Sequence, residues 1–452
     1  MPNHREPSTE SAQWYAIACA AVLAFAAVLR FRGLDASLFE DEVWVADLVR
    51  NGGWHPHSYS VPPLFYAIER AWAAIRGAGP SSLREPPAFF GILLATIPLL
   101  ANRDRVTRLL WSVLLGFSSP LVFYSSRIKQ YTLEACVVAV LIVILLRALE
   151  SDSRMAWLAF FAVAIAGVTT LYSPIFFVGA AALVVVPRAP RLTLGFALVF
   201  AAFAAAYFGY LAPGPESIRL HGDMQAFFTQ NGRWVTSPSS LFHNTLHFTG
   251  EMMNLVRGWW IVVAAAGAFC LTRREDLPLV VVAIAPVAAV AAASVWHFYP
   301  YGEVRLMIFA FPAIFLVIAS GLAAIAARVT VPGSVAVGLF LFAFAWNAVV
   351  RDTYNATYMH VHDLRPLYDF VAANRRRGDA VLAVDSLEAP LRYHHPEVNP
   401  GRWQGEQVTI TGWYLGVARV PSADVALNID GAWASRVSVP SAAGSAPPPG
   451  SP

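Results

Sequence analysis

Apolar runs close to the length of a membrane-spanning helix recur along most of the chain. About 20 apolar residues in a helix cross the roughly 30 Å hydrocarbon core of a bilayer. Of the 452 residues, 57% are hydrophobic and 13% are charged. Eleven spans are predicted, at residues 14–29, 86–101, 109–124, 131–148, 156–172, 174–187, 192–212, 257–273, 277–296, 305–328 and 333–350. The expected fold is therefore mainly α, a polytopic transmembrane helical bundle, and a soluble globule is excluded.

Arginine-bearing connections orient these spans. The cytoplasmic side of a membrane protein carries the excess of cations near span ends, and here it would receive the short loops that contain Arg103, Arg147, Arg188, Arg273 and Arg328. The segments assigned to the opposite, extracytoplasmic side are 30–62, 124–131, 213–256, 297–305 and the chain after residue 350. The sequence thus predicts a multi-pass protein of the cell (plasma) membrane.

This topology requires residues 62–75 to form a juxtamembrane helix at the outer surface rather than another span. Pro62 and Pro63 suit the start of such a helix, because the first helical residue needs no amide donor. Glu69 and Arg70 favour a surface position over a place in the bilayer.

The predicted domain organisation follows from a change of composition after Val350. It consists of a cytoplasmic N-terminus at 1–13, a transmembrane domain at 14–350, an extracytoplasmic domain at 351–440 and a disordered tail at 441–452. Within the transmembrane domain, 30–85 forms the first outer loop with its juxtamembrane helix, and 213–256 forms a long outer loop. After Val350, the predicted α/β or β segment contains a helix at 363–374 and strands at 380–384, 408–413 and 425–428. The net charge of +3 is small and spread over loops, so it does not indicate a nucleic-acid partner.

Three consecutive acids, Glu40, Asp41 and Glu42, follow the first span. Carboxylates at a membrane boundary are costly to desolvate, so such a cluster indicates a site that faces water. An ionised carboxylate there could take a proton from a hydroxyl group of a substrate carried in the membrane. The alternative is a helix N-terminus, where acids are also favoured.

A second motif, Arg127–Glu134, opens the fourth span from the outer side. Two cations beside Tyr131 at a helix entrance could hold a lipid phosphate. Lys129 is the one lysine among 32 basic residues. The alternative for the cations is snorkelling to lipid head groups. Glu134, one turn into the span, needs a cation, metal or polar partner.

Two further outer loops are rich in polar and aromatic residues. The His297–Arg305 segment could clamp a phosphate or a sugar through Arg305 and its tyrosines, although His297 and Tyr299 are also ordinary residues of an interfacial belt. The 213–256 loop is long enough to shape substrate entry. Its histidines have no metal-ligand spacing, and no ligand role is assigned to them.

Together these motifs resemble the polyprenyl-phosphate-sugar-dependent glycosyltransferases of the GT-C class, a superfamily that includes protein O-mannosyltransferases and aminoarabinose transferases. The resemblance covers roughly residues 14–390. Its carriers are the pair Asp41-Glu42, the run Pro62–Tyr66, the motif Arg127–Glu134 and the run Tyr301–Arg305.

The resemblance implies transfer of a sugar from a polyprenyl-phosphate donor to an acceptor hydroxyl on the extracytoplasmic side, with inversion at the anomeric carbon. The acceptor would be a lipid, a glycan or a protein. The roles implied are a catalytic base with its supporting acid at Asp41 and Glu42, and donor-phosphate binding at Lys129 and Arg305. Arg127 and Tyr131 are further candidates for donor-phosphate binding, and Tyr66, Tyr301 and His297 are candidates for substrate shaping. Glu134 matches a second acidic position, as a supporting residue or a ligand for a divalent cation. Relatives differ in metal dependence, so the cofactor is left open.

Two other classes of protein remain alternatives: a transporter or flippase for a lipid-linked sugar, and a non-catalytic scaffold. Both would also hold phosphate with cations near membrane spans. A transporter is expected to show paired broken helices or internal repeats near the midplane, and neither is evident in the sequence. A scaffold has no need of Asp41.

Overall fold

The computed structural model describes residues 9–32, 34–36, 38, 40–52, 54, 61–212, 226–253, 277–328, 330–361, 365–374, 382–383, 385–398, 401–402, 416–418 and 425–427. Several features predicted from the sequence lie outside these residues: the span at 257–273, the strand at 408–413 and the tail at 441–452. The described part divides into two compact units. The first consists of Met1–Asp35 and Leu48–Met359, and the second of Ala36–Asp47 and His360–Pro452.

Helices make up nearly all of the described chain. The first ten are α1 (Thr9–Phe31), α2 (Glu40–Asn51), α3 (Pro63–Arg76), α4 (Pro80–Thr96), α5 (Arg105–Phe117), α6 (Ser119–Ser125), α7 (Tyr131–Ser151), α8 (Arg154–Thr170), α9 (Pro174–Val185) and α10 (Thr193–Ala206). They are followed by α11 (Pro238–Met252), α12 (Leu277–Val295), α13 (Val304–Met307), α14 (Phe311–Arg328), α15 (Thr330–Val361), α16 (Arg365–Asn374) and α17 (Asp385–His394). Short 3₁₀ turns occur at Ile97–Leu100, Pro190–Leu192 and Ile308–Ala310, and a π-helical turn at Tyr207–Leu211.

Four short strands accompany the last helices. A parallel pair joins β1 (Leu382–Ala383) to β2 (Gly401–Arg402), and an antiparallel pair joins β3 (Gly416–Ala418) to β4 (Val425–Leu427). All four belong to the second unit. That residues 351–440 form a separate extracytoplasmic domain stays a prediction.

The prediction of a mainly α, polytopic membrane bundle is confirmed. Within the described residues, seven helical stretches are long and apolar enough to cross a membrane: Ala12–Phe31, Pro80–Leu100, Tyr131–Ser151, Pro190–Leu211, Leu277–Val295, Val304–Arg328 and Ser334–Thr353. The predicted spans at 156–172 and 174–187 correspond to shorter apolar helices, α8 and α9. The total of eleven spans stays a prediction.

The core of the first unit is one buried apolar cluster to which α5, α7 and α14 contribute together with neighbouring helices. The Trp111 indole donates a hydrogen bond to the Pro312 carbonyl at 2.9 Å and so links α5 to α14. Phe311 and Phe315 stack edge to face at 5.5 Å along α14. These contacts hold α5, α7 and α14 together.

The predicted span at 109–124 corresponds to two helices that are together long and apolar enough to cross a membrane but are bent, a feature that was not predicted from the sequence. Helices α5 and α6 meet at an angle of 57° around Ser118. Arg30 is completely buried there, and its guanidinium donates to the carbonyls of Leu115 at 3.2 Å and Gly116 at 2.8 Å. The Ser118 hydroxyl donates to the Met252 carbonyl at 3.2 Å. The backbone oxygens that the bend releases from the helix ladder thus find donors.

The predicted helix at 62–75 is present as α3, with Pro62 and Pro63 at its start. Arg70 lies on its exposed side and bonds to the Val49 and Arg50 carbonyls at the end of α2. Glu69 contradicts the expectation of a surface charge, because its side chain is completely buried and neither carboxylate oxygen has a hydrogen-bond partner among the described residues. Burial raises the pKa of Glu69 well above its ordinary value.

Candidate functional site

The acids after the first span open helix α2. Asp41 and Glu42 lie in its first turn. The alternative that these acids mark a helix N-terminus is therefore confirmed for the local structure. Asp41 is exposed, whereas Glu42 is buried at 1% exposure. Both acids belong to the second compact unit. A carboxylate that faces water can exchange a proton with a substrate, so the geometry of Asp41 is compatible with a base.

The remaining candidates belong to the first unit, and the Arg127–Glu134 motif forms the entrance of α7. Arg127 is buried, and its guanidinium lies over the Phe123 ring at 4.6 Å, a cation–π contact that orients the cation. Lys129 is partly exposed. Tyr131 begins the helix, and its ring packs edge to face on Tyr124 at 5.2 Å.

Glu134 has the polar partner that its position required. Its side chain is buried, and the carboxylate accepts a hydrogen bond from the Ser173 hydroxyl at the start of α9. This contact ties the first turn of α7 to the junction between α8 and α9. Over the described ranges, no three His, Cys, Asp or Glu side chains converge as a metal-binding group, so no ligand set is assigned around Glu134.

Two polar segments that are far apart in sequence meet beside α11. The Tyr301 amide donates to the Arg233 carbonyl at 2.9 Å, and the Tyr301 hydroxyl lies 2.9 Å from the Thr245 hydroxyl. The Asn244 side-chain amide donates to the Gly232 carbonyl at 3.1 Å. Burial raises the pKa of Tyr301. The structure therefore joins the two polar loops that the sequence analysis considered separately.

Ion pairs also connect the two segments. Glu303 forms ion pairs with Arg233 (Nε to Oε2, 3.3 Å) and with Arg305 (Nε to Oε1, 3.2 Å), and all three side chains are largely shielded from solvent. The Arg305 guanidinium also lies 6.0 Å from the Phe227 ring centre. His247 Nε2 is 3.2 Å from Arg233 Nη2, and burial together with the charge of Arg233 lowers the pKa of His247.

The aromatic candidates have structural contacts of their own. His297 is exposed, and its ring packs edge to face on Trp234 at 4.9 Å. The Tyr299 hydroxyl donates to the Leu306 carbonyl at 2.8 Å. Tyr66 is partly exposed, and its ring stacks on Trp54 at 6.1 Å. The substrate-shaping roles of Tyr66, His297 and Tyr301 stay predictions.

Sequence reasoning did not identify Arg233 as a functional candidate, and it gave Glu303 no role. Arg233 and Glu251 are the two charged residues of the described segment 226–253, but nothing in the neighbouring sequence marks either of them as functional. Glu303 lies within the Tyr301–Arg305 motif together with one of its partners, Arg305, but its other partner, Arg233, lies on a distant segment. Both residues are recognisable only once the loops are seen together.

Gly302 makes the close approach of these loops feasible, and Gly302→Ala is expected to destabilise the protein. Its φ is +82°, and an added Cβ would lie 2.8 Å from the Asn244 Cβ and 2.9 Å from the Asn244 carbonyl oxygen. The backbone conformation alone costs a residue with a side chain about 1–2 kcal/mol. We expect a lower apparent unfolding temperature in detergent. Gly338→Ala is the control, because a Cβ there meets nothing within 4 Å, and equal unfolding temperatures for the two variants would contradict the prediction.

The chain has the fold of the GT-C class of membrane glycosyltransferases. Two of the solved structures that share it are those of the aminoarabinose transferase ArnT from Cupriavidus metallidurans. One is bound to undecaprenyl phosphate (TM-score 0.58, 13% identity), and the other is in the apo state (TM-score 0.57, 14% identity). Each match covers 88% of this chain and 87% of the ArnT chain.

An oligosaccharyltransferase from Archaeoglobus fulgidus, in complex with Zn and sulfate, has the same fold. It matches with a TM-score of 0.54 and 13% identity over 84% of this chain and 62% of that one. No family model and no curated protein matches the sequence.

Proposed function

We propose that this chain is a membrane glycosyltransferase that moves a sugar from a polyprenyl-phosphate donor to an acceptor hydroxyl on the extracytoplasmic side of the plasma membrane. The observation that carries the proposal is the GT-C fold, which extends over most of the chain. Support comes from the cations at the outer helix entrances, which suit a lipid phosphate. The arginine-bearing short loops on the other side support the orientation.

Asp41 is proposed as the catalytic base, with Glu42 as its supporting acid. Asp41 would take the proton of the acceptor hydroxyl, whose oxygen would attack the anomeric carbon from the face opposite the phosphate and invert that carbon. The bond that breaks joins the anomeric carbon to the phosphate oxygen. Because a phosphate leaves as a weak base, one carboxylate and stabilising cations suffice without a general acid.

The donor phosphate is assigned to Lys129, Arg127, Arg305 and Tyr131. The contacts of the Arg127 and Arg305 guanidiniums with the Phe123 and Phe227 rings support this role, because a pre-oriented cation loses less conformational entropy when it binds an anion. Glu134 is proposed to keep the entrance of α7 in place through Ser173.

The proposal is tested with radiolabelled sugars on a small panel of synthetic polyprenyl phosphates, mixed with membranes that contain or lack the protein. Protein-dependent transfer of label to a lipid, glycan or protein acceptor would support it and identify the donor. If one lipid binds specifically but no donor in the panel yields transfer, the proposal is contradicted and a transporter or scaffold is favoured.

Lys129→Ala is expected to weaken donor use more than acceptor use. Loss of one charge-assisted contact to the phosphate should raise the donor KM on the order of ten-fold, while the acceptor KM stays near the wild-type value. Arg154→Ala is the control, since it removes an exposed cation at the start of α8 on the predicted cytoplasmic side. A change confined to the acceptor KM would contradict the phosphate role.

A further inference from the structure

One carboxylate joins two arginines that come from different parts of the chain. Glu303 meets the Nε atoms of Arg233 and Arg305 with its two oxygens, at 3.3 Å and 3.2 Å. The exposed fractions of the three side chains are only 17–21%. Such shielding strengthens each ion pair relative to one at an open surface.

The backbone around Glu303 is held on both sides. The preceding residue, Gly302, lies against Asn244, and the Tyr301 amide bonds to the Arg233 carbonyl. The following residue, Val304, begins α13. Glu303 can therefore act as a short, fixed link between the loop that carries Arg233 and the helix that carries Arg305.

Counted over the described side chains, the bridge carries a net positive charge. Two guanidiniums and one carboxylate sum to a single positive charge. His247 adds no charge in its neutral form, in which its Nε2 atom accepts a hydrogen bond from Arg233. Of the described residues, Glu251 is the other carboxylate near His247, and it forms an ion pair with Arg351 at 3.1 Å. The cluster is thus suited to an anion while Glu303 keeps its two cations from separating.

We propose that Glu303 is a positioning residue for the donor phosphate: it anchors the Arg305 guanidinium to Arg233 and so orients Arg305 before the donor binds. This inference rests on the proposed function, in which Arg305 contacts the phosphate. An arginine has many rotamers, and fixing one in advance lowers the cost of binding. Glu303 acts through Arg305 and makes no contact with the reacting atoms.

The variant that tests this proposal is Glu303→Gln. We expect a rise in donor KM on the order of ten-fold, the scale of one charge-assisted contact, with kcat changed less than the donor KM. Glu303→Asp keeps the charge and should restore part of the loss. Glu251→Gln is the matched control, because it also removes a carboxylate from an ion pair with arginine, and its donor KM should stay at the wild-type value.

A second experiment, in the Arg305→Gln variant, distinguishes a positioning role of Glu303 from a general loss of structure. In Arg305→Gln, the further change Glu303→Gln should leave the donor KM where Arg305→Gln alone puts it, because a residue that acts through Arg305 has nothing left to position. Additive effects of the two changes, or a donor KM for Glu303→Gln equal to that of wild type, would overturn the proposal. If Glu303→Gln does not fold, Glu303→Asp carries the same comparison.

Binding of polyprenyl phosphate alone, measured by the shift in apparent unfolding temperature, keeps this inference distinct from the proposed function. Wild type that neither transfers sugar nor binds the lipid would refute the proposed function itself. Active wild type with an unaffected Glu303→Gln variant would refute the positioning role only.

Discussion

Asp41→Asn is expected to lose sugar transfer almost completely. Asparagine has nearly the same shape as aspartate but does not take up the proton of the acceptor hydroxyl. General base catalysis contributes about 10²–10⁴-fold to a rate, so the turnover of the variant should fall by a factor of that order. The change replaces an exposed side chain in the first turn of α2, and the folded state should keep most of its stability because asparagine occupies the same volume at an exposed position.

Asp47→Asn is the matched control for this experiment. Asp47 is also an exposed aspartate on α2, about two turns further along the helix. Transfer from the preferred donor and the unfolding temperature in detergent should be measured for both variants. The shift in unfolding temperature caused by polyprenyl phosphate should survive in Asp41→Asn. Near-normal turnover in Asp41→Asn would remove Asp41 from the role of base.

Arg30→Leu is expected to lower the stability of the membrane domain more than any other change considered. Arg30 is completely buried and donates to the carbonyls of Ala26 at 3.1 Å, Leu115 at 3.2 Å and Gly116 at 2.8 Å. Leucine would leave the Leu115 and Gly116 oxygens without this donor at the α5–α6 bend. Each buried polar group left unpaired costs about 1–3 kcal/mol, so the apparent unfolding temperature should fall by on the order of 5–10 °C.

Arg32→Leu is the control for this change, since Arg32 is exposed and bonds to the Thr353 hydroxyl at 3.1 Å. A second variant, Gly91→Ala, disturbs the same place from the other side, because an added Cβ would lie 2.3 Å from Arg30 Nε and 2.2 Å from the Ser125 hydroxyl. Both Arg30→Leu and Gly91→Ala should reduce the yield of folded protein. An Arg30→Leu variant as stable as Arg32→Leu would show that the bend does not depend on Arg30.

Long apolar runs were a reliable guide to the fold. The runs at 14–29, 131–148 and 277–296 correspond closely to helices α1, α7 and α12, because burial of apolar side chains in lipid requires a helix that satisfies its own backbone. The run at 109–124 was equally apolar, yet it bends at Ser118. Pro120, within the first turn of α6, was the available local signal.

The candidate site was predictable in part. The entrance of α7 carries Lys129 and Tyr131 as expected, and Glu134 has a polar partner. The ion pair between Arg233 and Glu303 was not predictable, because it joins residues 70 positions apart and no periodicity reports such a contact. Glu69 was misjudged for a related reason, since two adjacent charges in a short helix suggest exposure but do not reveal which neighbours pack over one of them.

The amino-acid sequence alone determined that this protein is a helical, multi-pass membrane protein, and it located the cationic helix entrance and the acids that follow the first span. These properties depend on composition and on neighbours within a few turns of chain. Tertiary structure decided the bend at Ser118, the burial of Glu69 and the bridge from Arg233 through Glu303 to Arg305. Those features depend on which helices and loops pack together, because the partners that satisfy a buried charge or carbonyl come from distant parts of the chain.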